Sequence, residues 1–190
     1  MKLKIFTDGA CSGNQNEENY GGWGAVLRLD LQDNVHEKEI YGGEPDTTNN
    51  RMELTGVIEA FSALKKPDQD IEVYTDSAYI VNCFKNRWYV NWQKNGWKNA
   101  SGKPVENRDL WEKLLSLVES HNVKFVKVKG HVSLRSSEEM WGKHYRKFLK
   151  ESGFSQDEVS IADFKAITEM NVRVDALAVR GACEAKTQKI

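Results

Sequence analysis

The chain has 190 residues, of which 27 are lysine or arginine and 28 are aspartate or glutamate, so its formal net charge is −1. This length predicts one domain with a sizeable hydrophobic core. A charge so close to zero excludes attraction of the whole molecule to polyanions, and any nucleic-acid binding must therefore come from a local basic surface. Three cysteines without a CxxC spacing argue against a disulfide framework and against a zinc site.

The first part of the chain predicts strands followed by a helix. Residues 2–8, 21–30 and 35–43 have the alternating pattern of an antiparallel meander. The apolar period changes to 3.6 over residues 47–66, where Thr48 or Asn49 can cap a helix. No signal-peptide core and no apolar run of transmembrane length is present, so we expect a soluble, cytoplasmic protein without membrane association.

The second part of the chain predicts further elements in alternation. Residues 70–77 and 122–131 predict strands, and 77–85 and 107–121 predict helices, with Asp109 as a plausible cap for the second. After His131, three separate helices are predicted over 136–153, 157–170 and 171–185, the first ending at Gly153. This order of elements indicates an α/β protein, in which a mixed sheet carries helices on its faces.

Two similar stretches, IFTDGA at 5–10 and VYTDSA at 73–78, each place an aspartate at the end of a predicted strand. If the two strands are neighbours, Asp8 and Asp76 lie side by side at the sheet edge where ligand sites occur. Two such charges repel unless a cation neutralises them. The alternative is that both aspartates simply begin turns.

Two predicted helices carry further acids at the border of their apolar faces. Glu53 and Asp175 are each predicted in a first turn, where an acid also stabilises the helix dipole without any other role. Four carboxylates without thiol or imidazole partners suit magnesium. Two such ions about 4 Å apart can activate a water and stabilise a departing oxygen in phosphodiester hydrolysis.

Residues 85–103 form a basic segment that contains no acid and half of the six tryptophans. Its cations and tryptophans are Lys85, Arg87, Trp88, Trp92, Lys94, Trp97, Lys98 and Lys103. Such a segment is typical of a protrusion that holds phosphates with its cations and sugars or bases with its rings. The alternative is that the tryptophans pack against the body of the protein. Lys124, Lys127 and Lys129 are candidates to extend the basic surface.

Eight motifs in order resemble type 1 ribonuclease H: FTDGACSGN, GGWGAVL, TTNNRMEL, VYTDSAYIV, NWQKNGWKN, KPVENRDLW, VKVKGH and NVRVDALA. The resemblance covers residues 1–131 and 171–185. It implies the ribonuclease H-like fold, with a five-stranded mixed sheet and helices on both faces. It also implies cleavage of the RNA strand of RNA–DNA hybrids to 3′-hydroxyl and 5′-phosphate ends, with two Mg²⁺ ions, or Mn²⁺, as cofactor.

The resemblance assigns catalytic roles to five residues. Asp8 resembles the carboxylate that bridges both metal ions, and Asp175 resembles the ligand of the ion that activates water. Glu53 and Asp76 resemble ligands of the ion at the leaving 3′-oxygen. His131 is similar to a mobile histidine that assists proton transfer or product release, although an isolated histidine is usually a surface residue.

The resemblance also assigns substrate contacts. Asn14, Asn49 and Asn50 resemble residues that reach the minor groove, where RNA displays 2′-hydroxyls and DNA does not. Thr48 and Asn107 resemble members of a pocket for a DNA-strand phosphate. The basic protrusion is represented by Trp88, Trp92, Trp97, Lys94 and Lys98. Two departures are Asp46, where an arginine often completes the phosphate pocket, and Ala78, where a glutamine often contacts the minor groove.

The largest departure is residues 132–170, where the family has a short loop. We expect one domain over 1–190, acting as a monomer, with 132–170 as a helical insertion beside the active site. The insertion either contacts substrate or limits the motion of the His131 loop, unless it is only a packing elaboration. Two other functions remain open: a hybrid-binding module that does not cut, and another nuclease of the same fold, such as a transposase or junction resolvase. The four carboxylates argue against the module, and the tryptophan segment with TTNNRMEL argues against the second alternative.

Overall fold

The structure is a computed structural model that describes residues 2–12, 19–31 and 34–187. Within these ranges the chain forms five strands and six helices. The strands are β1 (Leu3–Ser12), β2 (Tyr20–Asp30), β3 (Val35–Pro45), β4 (Asp70–Thr75) and β5 (Asn122–Lys127). The helices are α1 (Asn49–Ser62), α2 (Ala78–Lys85), α3 (Trp88–Lys94), α4 (Arg108–Val118), α5 (Glu138–Ser152) and α6 (Ile161–Thr187). No helix in the described part of the chain is long and apolar enough to cross a membrane.

The strands form one mixed sheet in the order β3-β2-β1-β4-β5. β1 and β3 both run antiparallel to β2, whereas β4 runs parallel to β1 and to β5. The predicted fold class is therefore confirmed. Thr7 pairs with Thr75, so the two similar motifs lie side by side in register. Asp8 and Asp76 consequently follow equivalent positions on neighbouring strands.

One face of the sheet is covered by α1 to α4. Ile5, Ala25 and Val73 point into a core that includes Leu54 and Trp111. The cap predicted for α1 is present, since the Thr48 hydroxyl accepts a hydrogen bond from the backbone N–H of Arg51. Residues at alternate positions of each strand and at helical spacing in α1 thus bury the same core.

The other face of the sheet is covered by α5 and α6. Phe6, Tyr74 and Val126 of the sheet pack in one cluster with Trp141 of α5 and Phe164 of α6. The segment 132–170 is thereby part of the hydrophobic core on this face. It is also tied internally, because the Tyr145 hydroxyl donates a 2.6 Å hydrogen bond to the backbone oxygen of Val159.

The prediction of two separate helices over 157–170 and 171–185 is wrong, because α6 runs unbroken for 27 residues. Its start is fixed by Ser160, whose backbone N–H and hydroxyl both donate to Asp163 while the N–H of Asp163 returns a bond to the hydroxyl. This reciprocal cap satisfies free donors at the helix start. No glycine or proline then interrupts the chain before Gly181.

Three further local predictions need correction. Asp175 lies in the middle of α6 and Glu53 is the fifth residue of α1, so neither is a first-turn acid. Asp109 does not cap α4, since Asn107 occupies the cap position without a side-chain bond and Asp109 falls in the first turn. The basic segment contains a helix of its own, α3, which the strand-and-helix order did not include.

Glycines let α6 approach the sheet closely. A Cβ on Gly22 would lie 2.0 Å from the oxygen of Ala178, and one on Gly24 would lie 2.6 Å from the oxygen of Val174. A Cβ on Gly181 would lie 2.0 Å from the oxygen of Gly42. The backbone of α6 therefore contacts the backbone of the sheet both before and after Asp175. A larger residue in place of any of these glycines would displace the helix.

Candidate active site

A cleft opens at the edge of the sheet where β1 and β4 deliver their aspartates. It has a volume of about 240 Å³. Its lining consists of Asp8, Gly9, Ala10, Cys11, Asn49, Glu53, Asp76, His131 and Asp175. The structure thus brings together all five residues that the sequence proposed as catalytic, including Asp175 from beyond residues 132–170.

Asp8 is the most buried of the carboxylates in the cleft, with 5% of its surface exposed. The N–H of Gly9 donates a 2.7 Å hydrogen bond to Asp8 Oδ1. Burial, followed by the charge of Asp76 and then that of Asp175, raises the pKa of Asp8 to about 8. Negative charge is therefore unfavourable at this position unless a positive group enters the cleft.

Glu53 reaches the cleft from α1 and is held at both carboxylate oxygens. Asn49 Nδ2 donates a 2.9 Å hydrogen bond to Oε1, and the Ser77 hydroxyl donates to Oε2. Burial raises the pKa of Glu53, as does the charge of Asp76, while Ser77, Lys127 and Asn49 act in the opposite direction. Ser77 also caps α2 by accepting from the N–H of Ile80, so one side chain joins that helix to the site.

The small residues that follow the two aspartates, Gly9 and Ser77, have different structural roles. A Cβ on Gly9 would lie 2.4 Å from the backbone nitrogen of Glu53, so Gly9 allows α1 to pack against β1. Ser77 caps α2 and orients Glu53. Both residues therefore serve the placement of the carboxylates.

Asp76 lies between β4 and the segment that follows β5. Lys127 Nζ donates a 2.9 Å hydrogen bond to the backbone oxygen of Asp76. A Cβ on Gly130 would lie 2.2 Å from Asp76 Oδ2, which shows how closely this segment passes the carboxylate. His131 follows with a φ of 53° and an exposed side chain at the mouth of the cleft. The glycine thus permits the approach that brings His131 to the site.

Asp175 is half-buried and comes from the middle of α6. Its neighbours Val174 and Ala178 lie against Gly24 and Gly22 of β2, so the helix is located by direct contact with the sheet. The charge of Asp175 reaches Asp8, since it contributes to the raised pKa of that residue. The cleft therefore receives one carboxylate from each of two strands and from one helix on either face.

The donor set of the cleft fits a hard divalent cation. Its ionisable oxygens are all carboxylates. A buried carboxylate with a raised pKa, such as Asp8, is stabilised in its charged form when a cation binds beside it. Among the described residues, no three acid, histidine or cysteine side chains already form a group that could hold a metal ion. Magnesium is usually bound through one or two carboxylates with waters and substrate phosphates, so a complete protein cage is not required for it.

The predicted substrate residues are placed differently from one another. Asn49 lines the cleft, whereas Asn50 is half-buried and does not line it. Thr48 and Asn107 lie at opposite ends of a polar group that includes Arg51, whose Nη1 is 3.5 Å from Asn107 Oδ1. Asn14 lies outside the described residues, and its assignment stays a prediction.

Arg51 is a residue that the sequence reasoning missed. Its guanidinium donates to both oxygens of Asp109, at 3.2 and 3.0 Å, and it stands next to the proposed phosphate pocket. Asp46, in contrast, is exposed, with a φ of 52°. A cation is therefore present beside Thr48 and Asn107, although it comes from α1 and is shared with an acid. The signal was in TTNNRMEL, where Arg51 falls one helical turn after Thr48.

The tryptophans of the basic segment divide into two groups. Trp92 and Trp97 are only 8% and 9% exposed and belong to the core beneath α3 and α4. Trp92 meets Trp111 edge to face at 5.6 Å between ring centroids. Trp88 is half-buried and more accessible. Packing against the body, the alternative left open for the sequence, thus describes Trp92 and Trp97 in this structure.

The cations of the segment remain at the surface. Lys94 and Lys98 are exposed, and no acid among the described residues lies within ion-pair distance of either. The three lysines proposed to extend the basic surface over β5 differ in their contacts. Lys124 Nζ lies 3.4 Å from the ring centroid of Phe154, and Lys127 is engaged with Asp76, whereas Lys129 is exposed.

Comparison with known proteins agrees with the fold and the acidic cleft. A family model described as RNase H matches residues 1–142. The ribonuclease H of Clostridium botulinum (strain Hall) is 52% identical over 130 residues, which are 68% of this chain and 84% of that protein. The chain therefore belongs to the ribonuclease H family. The predictions of a type 1 ribonuclease H and of an endoribonuclease are thereby confirmed.

Two solved structures extend the comparison. LC9-RNase H1, described as a type 1 RNase H with the type 2 active-site motif, shares 32% identity with a TM-score of 0.62, covering 80% of this chain and 72% of that one. LC11-RNase H1 in complex with RNA/DNA hybrid shares 21% identity with a TM-score of 0.54, covering 96% of this chain and 98% of that one. The second likeness concerns the fold alone.

Proposed function

We propose that this chain hydrolyses the RNA strand of RNA–DNA hybrids in the cleft at the edge of β1 and β4, leaving 3′-hydroxyl and 5′-phosphate ends. The observation that carries the proposal is the convergence of Asp8, Glu53, Asp76 and Asp175 on one cleft of about 240 Å³. Membership of the ribonuclease H family supports the reaction class. A neighbour in fold is described in complex with an RNA/DNA hybrid, which supports the substrate class.

The four carboxylates are the residues that would hold two Mg²⁺ ions, with Mn²⁺ as the alternative. When bound, such ions supply an activated water and stabilise the charge on the departing oxygen. The protein's own contribution is to keep the carboxylates in place. Asn49 and Ser77 fix Glu53, Lys127 fixes the backbone at Asp76, and the contact of α6 with β2 fixes Asp175.

His131 is proposed to move protons at the mouth of the cleft. It is exposed there and follows Gly130, which passes directly against Asp76. General acid–base help from a side chain of this kind contributes typically about 10²–10⁴-fold.

Substrate contacts are proposed on both sides of the cleft. Asn49, which lines the cleft, and Asn50 are proposed to contact the minor groove, and the same role for Asn14 stays a prediction. Thr48, Asn107 and Arg51 receive a phosphate of the DNA strand. Trp88, Lys94 and Lys98 offer the accessible surface of the basic segment, while Trp92 and Trp97 support it from the core.

We also propose that residues 1–190 act as one domain and as a monomer in the cytoplasm. The insertion supports the single domain, because its aromatic residues share one hydrophobic cluster with the sheet. The oligomeric state and the location stay predictions.

The test is cleavage of labelled hybrid, double-stranded DNA and double-stranded RNA by the purified protein, with Mg²⁺ and with EDTA. We expect the protein to cut the hybrid and neither of the other two substrates. Cutting should occur with Mg²⁺ and not with EDTA, and each nick should have a 3′-hydroxyl end. Binding without cutting would favour the module, and cutting of double-stranded DNA would favour another nuclease.

The matched pair of variants is Asp8→Asn and Asp157→Asn, the second an exposed acid in the turn before α6. Loss of a metal ligand removes several kcal/mol of transition-state stabilisation, so Asp8→Asn should lose at least about a hundredfold in kcat. Asp157→Asn should retain the wild-type rate. A nearly wild-type rate for Asp8→Asn would refute the assignment of the site.

A further inference from the structure

The stretch from the end of β5 through α5 is strongly basic. Residues 127–150 contain seven lysines and arginines and only two acids, in a chain whose net charge is −1. One of these acids, Glu138, is already engaged by Lys165 at 2.9 Å. This segment therefore has a local excess of positive charge, as residues 85–103 do, and most of α5 lies beyond residues 1–142 that the family model matches.

The packing of α5 determines which way its cations point. Trp141, Tyr145 and Phe148 are buried in the cluster on this face of the sheet. Lys143 and Lys147, one helical turn apart, are consequently exposed on the outer side of the helix. The basic stripe is thus held in one orientation by a buried aromatic stripe.

Lys129, Lys143, His144 and Lys147 form a local cluster, which we call the α5 basic surface. A depression of about 110 Å³ brings Lys129, His144 and Lys147 together with Phe148. Burial lowers the pKa of His144, and the charges of Lys129, Lys143 and Lys147 lower it further. Lys147 has one acid partner, Glu151 at 3.6 Å. Like charges gathered in this way repel one another, and an anion bound among them lowers that repulsion.

The α5 basic surface is continuous with the active-site cleft. Lys129 is followed by Gly130, which passes against the carboxylate of Asp76, and by His131 at the mouth of the cleft. The segment 127–131 therefore has the catalytic residues on one side and the depression beneath α5 on the other. The α5 basic surface therefore adjoins the cleft along the chain from Lys129 to His131.

The two basic regions of the molecule lie on opposite faces of the sheet. The segment 85–103 belongs to the face of α1 to α4, and the α5 basic surface belongs to the face of α5 and α6. We propose that the α5 basic surface is a second contact for the sugar-phosphate backbone of the hybrid, on the side of the cleft away from the tryptophans. This inference rests on the proposed function for the identity of the nucleic acid. It assigns to the insertion a role in substrate affinity.

The test compares two double variants that each remove two exposed lysines. Lys143→Gln with Lys147→Gln changes the α5 basic surface, whereas Lys65→Gln with Lys66→Gln changes a loop that leads into the opposite end of β4. Binding of a fluorescent hybrid long enough to span both faces is followed by anisotropy in EDTA, where no cleavage occurs. The same titration is repeated over a series of salt concentrations.

We expect the α5 pair to raise Kd about fivefold or more. The slope of log Kd against log salt should fall by roughly 0.7–0.9 for each phosphate that the protein no longer neutralises. At saturating hybrid in Mg²⁺, the kcat of this pair should equal that of the wild type. The control pair should match the wild type in both measurements. Thermal unfolding of all proteins should coincide, because the changed residues are exposed.

The outcomes separate this inference from the proposed function. If the α5 pair binds hybrid with the wild-type Kd and salt slope, or if both pairs weaken binding equally, the inference is overturned although cleavage persists. If the wild type binds hybrid without cutting it and the α5 pair still weakens binding, the inference stands and the cleavage function falls. A fall in kcat without a change in Kd would contradict an affinity role.

Discussion

The two faces of the sheet support the same cleft with different shares of side-chain and backbone packing. On one face, α1 to α4 pack mainly through side chains, with Trp111 and Trp92 in the core, and Gly9 lets α1 approach β1. On the other face, an aromatic cluster covers part of the sheet, and α6 lies backbone to backbone on β2 and β3 through glycines. Each face delivers one carboxylate, Glu53 or Asp175, to the pair supplied by the strands. The comparison teaches that the register of the sheet places the first two carboxylates. A helix packed by side chains or by backbone contact can then add a further one.

The first way to test the comparison is to remove an aromatic residue from the first face. Trp92→Ala leaves a large cavity in the core, so the free energy of unfolding should fall by about 3–5 kcal/mol. Chemical denaturation followed by circular dichroism measures this change. Trp88→Ala, the half-buried neighbour, should be destabilised less and should instead raise KM for hybrid about fivefold, because stacking on bases is worth roughly 1–3 kcal/mol.

If Trp92→Ala retained wild-type stability and only raised KM, its ring would act as a substrate contact, against its burial in the core. Equal destabilisation of the two variants would likewise contradict the division between supporting and accessible tryptophans.

The second test adds a methyl group to the second face. In Gly24→Ala the new Cβ would meet Val174 and Leu177 of α6, so the helix must shift. Overpacking of this kind costs about 1–3 kcal/mol, and the displacement of Asp175 should lower kcat roughly tenfold or more, with little change in KM. Stability and steady-state cleavage measured on the same preparation give both values.

Gly142→Ala is the matched control for the second test. A Cβ there would meet only the end of the flexible Arg146 side chain, at 3.4 Å, in the interior of α5. Since alanine favours a helix over glycine by about 0.5–1 kcal/mol, this variant should be as stable as the wild type or slightly more so. Wild-type activity and stability in Gly24→Ala would show that α6 is not located by this contact.

The third and smallest effect concerns charge near the phosphate pocket. Asp46→Asn removes a negative charge two residues before Thr48, and asparagine tolerates the left-handed backbone at this position. An exposed charge is worth about 0.2–1 kcal/mol, so KM should fall roughly two- to threefold at low salt and approach the wild-type value at high salt.

Asp68→Asn is a suitable comparison for this third change, because Asp68 is also exposed with a φ of 54° and precedes β4 at its far end. It should leave KM unchanged. The same fall of KM in both variants would indicate a general charge effect, without a pocket at Thr48.

Much of the first face and of the site could be predicted from the sequence. The strands and α1 have clear apolar periods, and the repeated motif around Asp8 and Asp76 predicts two strands that each end in an aspartate. That the two strands are neighbours was left as a condition, and only the sheet pairing shows it. Ser77 and Arg51 were missed because their partners, Glu53 and Asp109, are distant in the chain. The burial of Trp92 and Trp97 was left open, since an aromatic residue in a basic segment has the same sequence pattern whether it supports the surface or forms it.

The second face was less predictable for physical reasons. The helix boundary predicted before Asn171 was wrong because α6 continues past it, with Asn171 buried within the helix's packed side. The role of Gly22, Gly24 and Gly181 depends on which helix crosses which strand, and a local pattern contains no such information. Removing 132–170 as a unit is also an unsuitable test of function, because it would expose the aromatic core shared with Phe6 and Tyr74.

The central claim is that helices on both faces of the sheet contribute to one catalytic cleft, and Asp175 tests it most directly. The measurement is the rate of hybrid cleavage in Mg²⁺ at saturating substrate for Asp175→Asn and for Glu169→Gln, an exposed acid on the same helix. We expect Asp175→Asn to lose at least about a hundredfold in kcat, as for a metal ligand, while its Kd for hybrid in EDTA stays within about twofold of the wild type. Glu169→Gln should be unchanged. A wild-type rate in Asp175→Asn would contradict the account, because α6 would then cover the sheet without serving the site.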